Sequence, residues 1–172
     1  MSSLQGQTAF VTGGGTGIGR AIAIDFAGAG AKVIICGRRA GPLAETVQLI
    51  TDAGGTASAV TCDLTEPDAI EQCAQALLSE HGAIDVLVNN AGFTHRNKPF
   101  LDVTEDEFDR VYDVNVKAIF HALQEALPIF LEQGAGSVIN TSSTAALRPR
   151  PGLGVSCSST CAVTHLTESL AI

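Results

Sequence analysis

The stretch that decides the fold is Thr12-Gly13-Gly14-Gly15-Thr16-Gly17-Ile18-Gly19. It lies between a strand-like segment, residues 7–11, and an apolar run, residues 21–24, which predicts a glycine-rich turn between a first strand and a first helix. Such a turn points backbone N–H groups and the positive end of a helix dipole at a phosphate, with no side chains in between.

Three glycines of this turn have separate predicted tasks. Gly13 lets the chain reverse, Gly17 lets a pyrophosphate approach the backbone, and Gly19 lets the helix lie close to the sheet. A glycine-rich turn without a ligand is the alternative, because short motifs often match by chance. The strand before the turn and the helix after it favour a nucleotide.

Composition and charge narrow the class of protein. The 172 residues, 45% of them hydrophobic, fit one globular domain over residues 1–172. The formal charge of −8 argues against a nucleic-acid partner. Residues 1–7 lack the features of a secretory signal, and charged or polar residues interrupt every apolar run before it reaches membrane-spanning length. We therefore expect a cytoplasmic protein.

Cysteine and histidine spacing gives no metal site. The five cysteines are odd in number and contain no CxxC, and the four histidines are isolated. Cys157 and Cys161 are spaced to share a helix face, but two thiols alone make a poor zinc site. Without an export signal, reduced thiols are favoured over disulfides.

Strand-like and helix-like segments alternate along the whole chain. The remaining strands are predicted at 32–36, 56–62, 84–89 and 136–140, and the helices after the first at about 42–53, 65–81, 104–131 and 156–172. This alternation predicts an α/β fold, a Rossmann-type doubly wound parallel sheet of five strands in the order 3-2-1-4-5 with helices on both faces. A ligand then belongs at the carboxyl ends of strands 1 and 4.

Local signals set several boundaries. Thr65 is the predicted N-cap of its helix, and Thr104 with Glu107 forms a capping box. Pro128 is expected to kink the long helix near its end. The basic loop 92–100 either rims a substrate site or is an ordinary solvated loop, and the second reading is slightly favoured.

Four further motifs accompany the glycine-rich turn in order along the chain. They are Cys62-Asp63-Leu64, Asn89-Asn90-Ala91-Gly92, Asp113-Val114-Asn115-Val116 and Asn140-Thr141-Ser142-Ser143. Together the five motifs resemble the short-chain dehydrogenase/reductase family, near its ketoacyl-reductase-like and glucose-dehydrogenase-like members, over essentially the whole chain. The resemblance implies hydride transfer between a nicotinamide dinucleotide and a small carbonyl or secondary alcohol, in a homo-oligomer.

The resemblance also implies the cofactor-binding residues. Backbone of the turn would bind the pyrophosphate, Asp63 would bind the adenine amino group with help from the Leu64 backbone, and segment 90–92 would line the ribose. Asp63 as a plain helix-start residue is the alternative. The implied set is Gly13, Gly15, Thr16, Gly17, Ile18, Gly19, Arg38, Asp63, Leu64, Asn90, Ala91 and Gly92.

Arg38 bears on the type of cofactor. An NAD enzyme places an acidic residue after the second strand to bind the ribose 2′-hydroxyl, whereas this chain has Gly37 followed by Arg38. A guanidinium suits a 2′-phosphate by charge and by bidentate geometry, so NADP(H) is favoured over NAD(H). An exposed arginine without a ligand is the alternative.

The resemblance assigns catalytic roles to two further residues. Asn115 would hold a water that relays protons, and the alternative is an asparagine that bends its helix by bonding to backbone. Ser143 would donate a hydrogen bond to the substrate carbonyl. We choose Ser143 over Ser142 because the family's serine lies thirteen positions before its tyrosine, whose position here is 156.

The family's Tyr-x3-Lys pair is missing. Ser156 stands in the tyrosine position and Thr160 in the lysine position, while the flanking residues match; the single tyrosine, Tyr112, is followed four residues on by Val116. A serine hydroxyl is far less acidic than a phenol, and threonine supplies no cation. Family members also continue with two more strands beyond the point where this sequence stops. Without those strands, strand 5 would be a bare edge. Impaired catalysis is therefore expected, and a silent NADP(H)-binding or partner-binding domain and a non-functional truncated product are the rival readings.

Overall fold

A computed structural model describes residues 4–171 as one parallel five-stranded sheet. The strand order is β3-β2-β1-β4-β5, which confirms the predicted order. The strands are β1 Thr8–Thr12, β2 Lys32–Gly37, β3 Thr56–Thr61, β4 Val86–Asn89 and β5 Ser137–Asn140. The order reverses between β1 and β4. The connections that leave the carboxyl ends of these two strands therefore run to opposite sides, and a crevice opens between them.

Six α-helices within residues 4–171 connect and flank the strands. They are α1 Gly17–Gly28, α2 Ala40–Asp52, α3 Pro67–His81, α4 Glu105–Tyr112, α5 Ala118–Gln133 and α6 Gly154–Leu170. Two short 3-10 helices, Phe100–Asp102 and Thr144–Ala146, lie in the loops that follow β4 and β5.

The three central strands, β1, β2 and β4, are largely buried on both faces, as apolar parallel strands require. Along β1, Ala9 and Val11 point into a core cluster shared with α1 and α2, whereas Phe10 points into a second cluster shared with α3 and α5. All five residues of β1 are buried. The strand that leads into the glycine-rich turn is therefore enclosed by core on both faces.

Strand β5 lies at one edge of this sheet. Its ladder to β4 runs from Val86↔Ser137 to Asn89↔Asn140, and the sheet order gives it no neighbour on the other side among residues 4–171. Ile139 on this strand is 43% exposed. The edge position expected from the sequence is confirmed.

The predicted N-cap at Thr65 is wrong. Helix α3 begins at Pro67 with Glu66 in the N-cap position. The Thr65 backbone N–H and hydroxyl both donate to Asp63 Oδ1, at 3.1 and 2.9 Å. This turn consumes the hydroxyl that would have capped the helix, and proline at the first helical position fixes the start two residues later.

The predicted long helix 104–131 is interrupted. Its capping box is present, since Thr104 accepts from the Glu107 N–H and Glu107 accepts from the Thr104 N–H. A π-helical turn, Asp113–Lys117, then separates α4 from α5, which continues through Pro128 to Gln133. The last helix begins at Gly154 rather than residue 156, and its predicted end at 172 lies outside the described residues.

Candidate functional site

The glycine-rich turn adopts a conformation that only glycine tolerates at two positions. Gly13 has a φ of +68° and Gly17 a φ of +56°. A Cβ on Gly19 would lie 2.3 Å from the Gly13 carbonyl oxygen and 2.5 Å from Asn90 Nδ2, so α1 packs directly against the turn and β4. Gly17 differs, because no atom lies within 4 Å of a Cβ built there. The turn is therefore tightly packed at Gly19 and open to solvent or a ligand at Gly17.

The open position coincides with the N-terminus of α1. Thr16 is the N-cap residue, its side chain makes no capping hydrogen bond, and no acidic residue occupies the first turn. The positive end of this helix dipole is therefore not neutralised by the chain itself. Space at Gly17 and these N–H groups together fit the pyrophosphate of a dinucleotide.

Arg20 fixes the turn from the side of α2, a role that the sequence analysis missed. Its Nε and Nη2 donate to the Gly15 carbonyl at 3.1 and 2.7 Å, and Nη2 also donates to the Pro42 carbonyl and to Glu45. Nε donates to the hydroxyl of Thr46, which is fully buried and in turn donates to the Pro42 carbonyl. One guanidinium thus joins the turn to the start of α2.

Thr12 joins the two strands at the reversal point. Its hydroxyl oxygen accepts from the backbone N–H groups of Asn90 at 2.9 Å and Ala91 at 3.0 Å, and Asn90 Nδ2 donates to the Thr12 carbonyl. Asn89 reaches the other way and donates to Asn140 Oδ1 at 2.8 Å. These bonds hold the carboxyl ends of β1, β4 and β5 in one fixed arrangement.

Asp63 lies just past β3 with one carboxylate oxygen occupied. The hydrogen bond from the Thr65 N–H lowers the pKa of its carboxyl group, with further lowering from the Thr65 hydroxyl, Arg38 and Arg110. Only Oδ1 receives those Thr65 bonds. The ionised carboxylate therefore keeps Oδ2 as an acceptor for a ligand N–H group.

These elements surround one cleft of about 390 Å³. It is lined by all but one of the predicted cofactor-binding residues, Gly17 being the exception, and by Gly37, Arg39, Pro42, Leu43, Cys62, Thr65, Phe93 and Val114. The Arg110 guanidinium lies 4.5 Å from the centre of the Phe93 ring and so backs one wall. Neither Phe93 nor Val114 carries a polar signal in the sequence, which is why they were missed.

The four predicted catalytic residues do not line this cleft. Asn115 lies in the π-helical turn and is buried; its Oδ1 accepts from the Phe93 N–H, and its Nδ2 donates to the Phe93 carbonyl and to Ser159 Oγ. This is the bonding expected for an asparagine that shapes its helix. A water held at Asn115 stays a prediction.

The two serines after β5 are used differently. Ser142 donates to the Thr160 carbonyl and shares a 3.0 Å hydrogen bond with the Thr164 hydroxyl, which fastens it to α6. Ser143 Oγ accepts from the Ala145 N–H at 3.1 Å. The hydroxyl proton of Ser143 is thus left for another acceptor, whereas Ser142 is committed to packing.

Positions 156 and 160 both lie on α6. The Thr160 hydroxyl donates within its own helix, to the carbonyls of Ser156 at 3.2 Å and Cys157 at 3.0 Å. The only tyrosine is committed elsewhere, since the Tyr112 hydroxyl donates to Ser158 at 3.0 Å. The described residues offer no phenol and no ammonium at these two positions of the helix.

Residues 4–171 provide neither a candidate membrane span nor a candidate metal site. No helix there combines the length and the apolar character needed to cross a membrane. No group of three or more histidine, cysteine or acidic side chains in that range is arranged to hold a metal ion.

The chain is similar in sequence to known dehydrogenases over nearly its whole length. The chain is 42% identical over 170 residues to the 4-formylbenzenesulfonate dehydrogenase of Comamonas testosteroni, covering 99% of this chain and 68% of that protein. It is 37% identical over 168 residues to the 7alpha-hydroxysteroid dehydrogenase of Escherichia coli K12, covering 98% and 65% respectively. The chain spans between 55% and 68% of the length of curated relatives that it matches.

Solved structures agree in backbone as well as in sequence. A metagenomic short-chain oxidoreductase in complex with NADP superposes with a TM-score of 0.95 at 37% identity, over 99% of this chain and 77% of that one. A short chain dehydrogenase/reductase from Burkholderia phymatum in complex with NAD gives 0.94 at 33% identity, over 99% and 60%. The short chain dehydrogenase family matches residues 7–172, and the chain belongs to that family.

Proposed function

We propose that this chain, as one domain over residues 1–172, binds NADP(H) in the cleft and is an oxidoreductase whose hydride transfer is strongly impaired. The observation that carries the proposal is the cleft itself, where the glycine-rich turn, Arg38, Asp63 and the segment 90–92 meet. The substrate class is a small carbonyl compound or secondary alcohol, the class on which the named relatives act as dehydrogenases.

The preference for NADP(H) rests on the charge at one end of the cleft. Gly37, Arg38 and Arg39 all line it, and Arg38 is exposed and near enough to Asp63 to lower the pKa of that carboxyl group. Neighbouring guanidinium groups attract a 2′-phosphate and pair with it bidentately. A carboxylate for the 2′-hydroxyl of NAD is absent from positions 37–39.

The reaction centre supplies only part of the chemistry. When bound, the nicotinamide ring supplies or accepts the hydride. Ser143 would donate a hydrogen bond from its hydroxyl to the substrate oxygen, while its own oxygen accepts from the Ala145 N–H. Ser156 and Thr160 provide neither the acidic phenol nor the cation that proton transfer needs. Loss of general acid catalysis alone lowers a rate by about 10²–10⁴-fold.

Thermal melting with each nucleotide tests the binding half of the proposal. NADPH at 100 times its Kd is expected to stabilise the chain by about 2.7 kcal/mol, and NADH to stabilise it less. Arg38→Ala is expected to remove the difference between the two nucleotides, whereas Arg148→Ala, on an exposed loop outside the cleft, keeps it. No shift with millimolar NADPH, or an unchanged preference in Arg38→Ala, would contradict the proposal.

A catalytically silent binding domain is the second candidate, favoured by the in-helix bonding of Thr160. Single-turnover mixing of the NADPH complex with a panel of ketones and aldehydes separates the two. A slow loss of the 340 nm absorbance of NADPH that depends on the carbonyl compound indicates an impaired enzyme, as proposed. Stable absorbance with every compound assigns the chain to the silent class.

A further inference from the structure

Three buried cysteines lie together beneath the cleft and have no part in the function proposed above. Cys36 lies one residue before the end of β2, Cys62 follows β3, and Cys73 lies in α3. All three belong to one core cluster. Each is a free thiol. Cys62 also lines the cleft, directly before Asp63.

Two of the three thiols lie next to one cavity. The Cys62 thiol donates to the Ala69 carbonyl at 3.6 Å, one helical turn before Cys73, and Cys62 and Cys73 both line that cavity. Cys36 is placed less directly, because its partner across the β2–β3 ladder is Val60. The pair in position to react is therefore Cys62 with Cys73.

A small cavity lies beside this pair. This second cavity, of about 30 Å³, is lined by Cys62 and Cys73, along with Leu64, Ile70 and other apolar side chains. This volume exceeds what one water molecule needs. Cys62 lines both this cavity and the cleft, so it forms a boundary between them.

The two sulfurs are also unequal as nucleophiles. The hydrogen bond from Cys73 lowers the pKa of the Cys62 thiol, and the same bond together with burial raises the pKa of Cys73. Cys62 also borders the cleft, whereas Cys73 does not line it, so Cys62 is the attacking sulfur and Cys73 the resolving one.

We propose that Cys62 and Cys73 form an oxidisable dithiol site that a hydroperoxide closes to a disulfide. The Cys62 thiolate attacks the terminal peroxide oxygen; the O–O bond breaks, sulfur is oxidised to the sulfenic acid, and the alkoxide or hydroxide leaves with a proton as alcohol or water. Cys73 sulfur then attacks the sulfenic sulfur, the S–O bond breaks, and water leaves with the Cys73 proton. Two thiols and one hydroperoxide give one disulfide, one water and one alcohol or second water.

The remaining cysteine pair is a matched internal control. Cys157 and Cys161 lie four residues apart on α6, where Cβ atoms are about 5–6 Å apart. A disulfide needs a Cβ separation of about 3.5–4.5 Å, so this pair cannot close without unwinding the helix. Cys161 is the more exposed of the two and reports whether the oxidant reached the protein.

Trypsin separates the two pairs. Cys62 and Cys73 are the only cysteines between Arg39 and Arg96, while Cys157 and Cys161 lie together after Lys117. After treatment with hydrogen peroxide and blocking of free thiols, the first peptide is expected to lose two hydrogen atoms and to resist alkylation at both cysteines. The second peptide is expected to show no internal disulfide.

Variants test the assigned order. In Cys73→Ser the reaction is expected to stop at a Cys62 sulfenic acid, which dimedone labels, and in Cys62→Ser neither the label nor the disulfide forms in that peptide. The wild-type result needs neither variant to fold. Peroxide that oxidises Cys161 but leaves the first peptide fully alkylated, or a bridge from Cys36 to Cys62, overturns the proposal.

The route of access rests on the proposed function, and the oxidation does not. Saturating NADPH fills the cleft against Cys62 and is expected to slow disulfide formation at least severalfold. An unchanged rate in a protein that binds NADPH overturns access through the cleft. If NADPH does not bind, the proposed function fails, while the disulfide measured without nucleotide still decides whether the dithiol site exists.

Discussion

The two ends of this site differ in completeness. At the phosphate and adenine end, the Arg20 bonds to Gly15, the Thr12 bonds to β4 and the half-free Asp63 carboxylate form a connected set with the cleft open beside it. At the α6 end, Thr160 bonds to its own helix and position 156 is a serine. The difference shows that the bonds around the cleft form without a tyrosine at position 156 or a lysine at position 160.

The largest expected effect comes from restoring the missing side chains at the α6 end. Ser156→Tyr with Thr160→Lys restores an acid and a cation, and is expected to raise kcat/KM for NADPH-dependent ketone reduction by about 10²–10⁴-fold. Ser156→Phe with Thr160→Lys is the matched control, since it fills the same space without the hydroxyl. A folded, NADPH-binding double variant no faster than this control would show that more than two side chains are missing.

The proposed phosphate end can be disrupted by substituting one glycine of the turn. Gly19→Ala places a Cβ 2.3 Å from the Gly13 carbonyl oxygen, so we expect a loss of about 1–3 kcal/mol of unfolding free energy and severely weakened NADPH binding. Gly28→Ala lies in the same helix with no atom within 4 Å of its Cβ and should leave binding unchanged. Denaturant unfolding and nucleotide titration measure both. Equal behaviour of the two variants would contradict close packing at the turn.

A smaller effect is expected from loosening the turn at Arg20. Arg20→Met keeps most of the side-chain volume but leaves the Gly15 carbonyl with only the 3.3 Å bond from Thr46. A lost hydrogen bond from a charged donor corresponds to about 1.5–3 kcal/mol, so the Kd for NADPH should rise about tenfold or more. Titration of Glu45→Gln is the control, because its Arg20 contact is exposed and worth little.

The smallest effect is expected from a substitution that lies outside both ends of the site. Thr104→Ala removes the cap of α4 and is expected to cost about 1 kcal/mol of unfolding free energy. Neither Thr104 nor Glu107 lines the cleft, so NADPH affinity should not change. A coupled loss of affinity would show that α4 stability reaches the nucleotide through Phe93 and Arg110.

Sequence reasoning succeeds where one residue type has one physical use. The glycine positions and the strand order followed from turn chemistry and alternation, because positive φ and parallel pairing leave few alternatives. The other predicted cleft residues came from the family resemblance. It failed where a side chain has several partners to choose from. Thr65 offered a cap but bonded to Asp63, and the bonds of Arg20 to Gly15 form only because α2 packs beside the turn. The π-helical turn at Asn115 depends on the Phe93 backbone, which lies far away in sequence.

The Thr12 hydroxyl has a consequence for the timing of ligand binding. Because it holds the amides of Asn90 and Ala91 just past the end of β4, those amides should exchange with solvent as slowly as amides within the strand, even without a nucleotide. The floor of the cleft then needs no ordering when a ligand arrives. Association is accordingly expected to follow the encounter rate, with a single concentration-dependent phase in stopped-flow traces and no slow closing step.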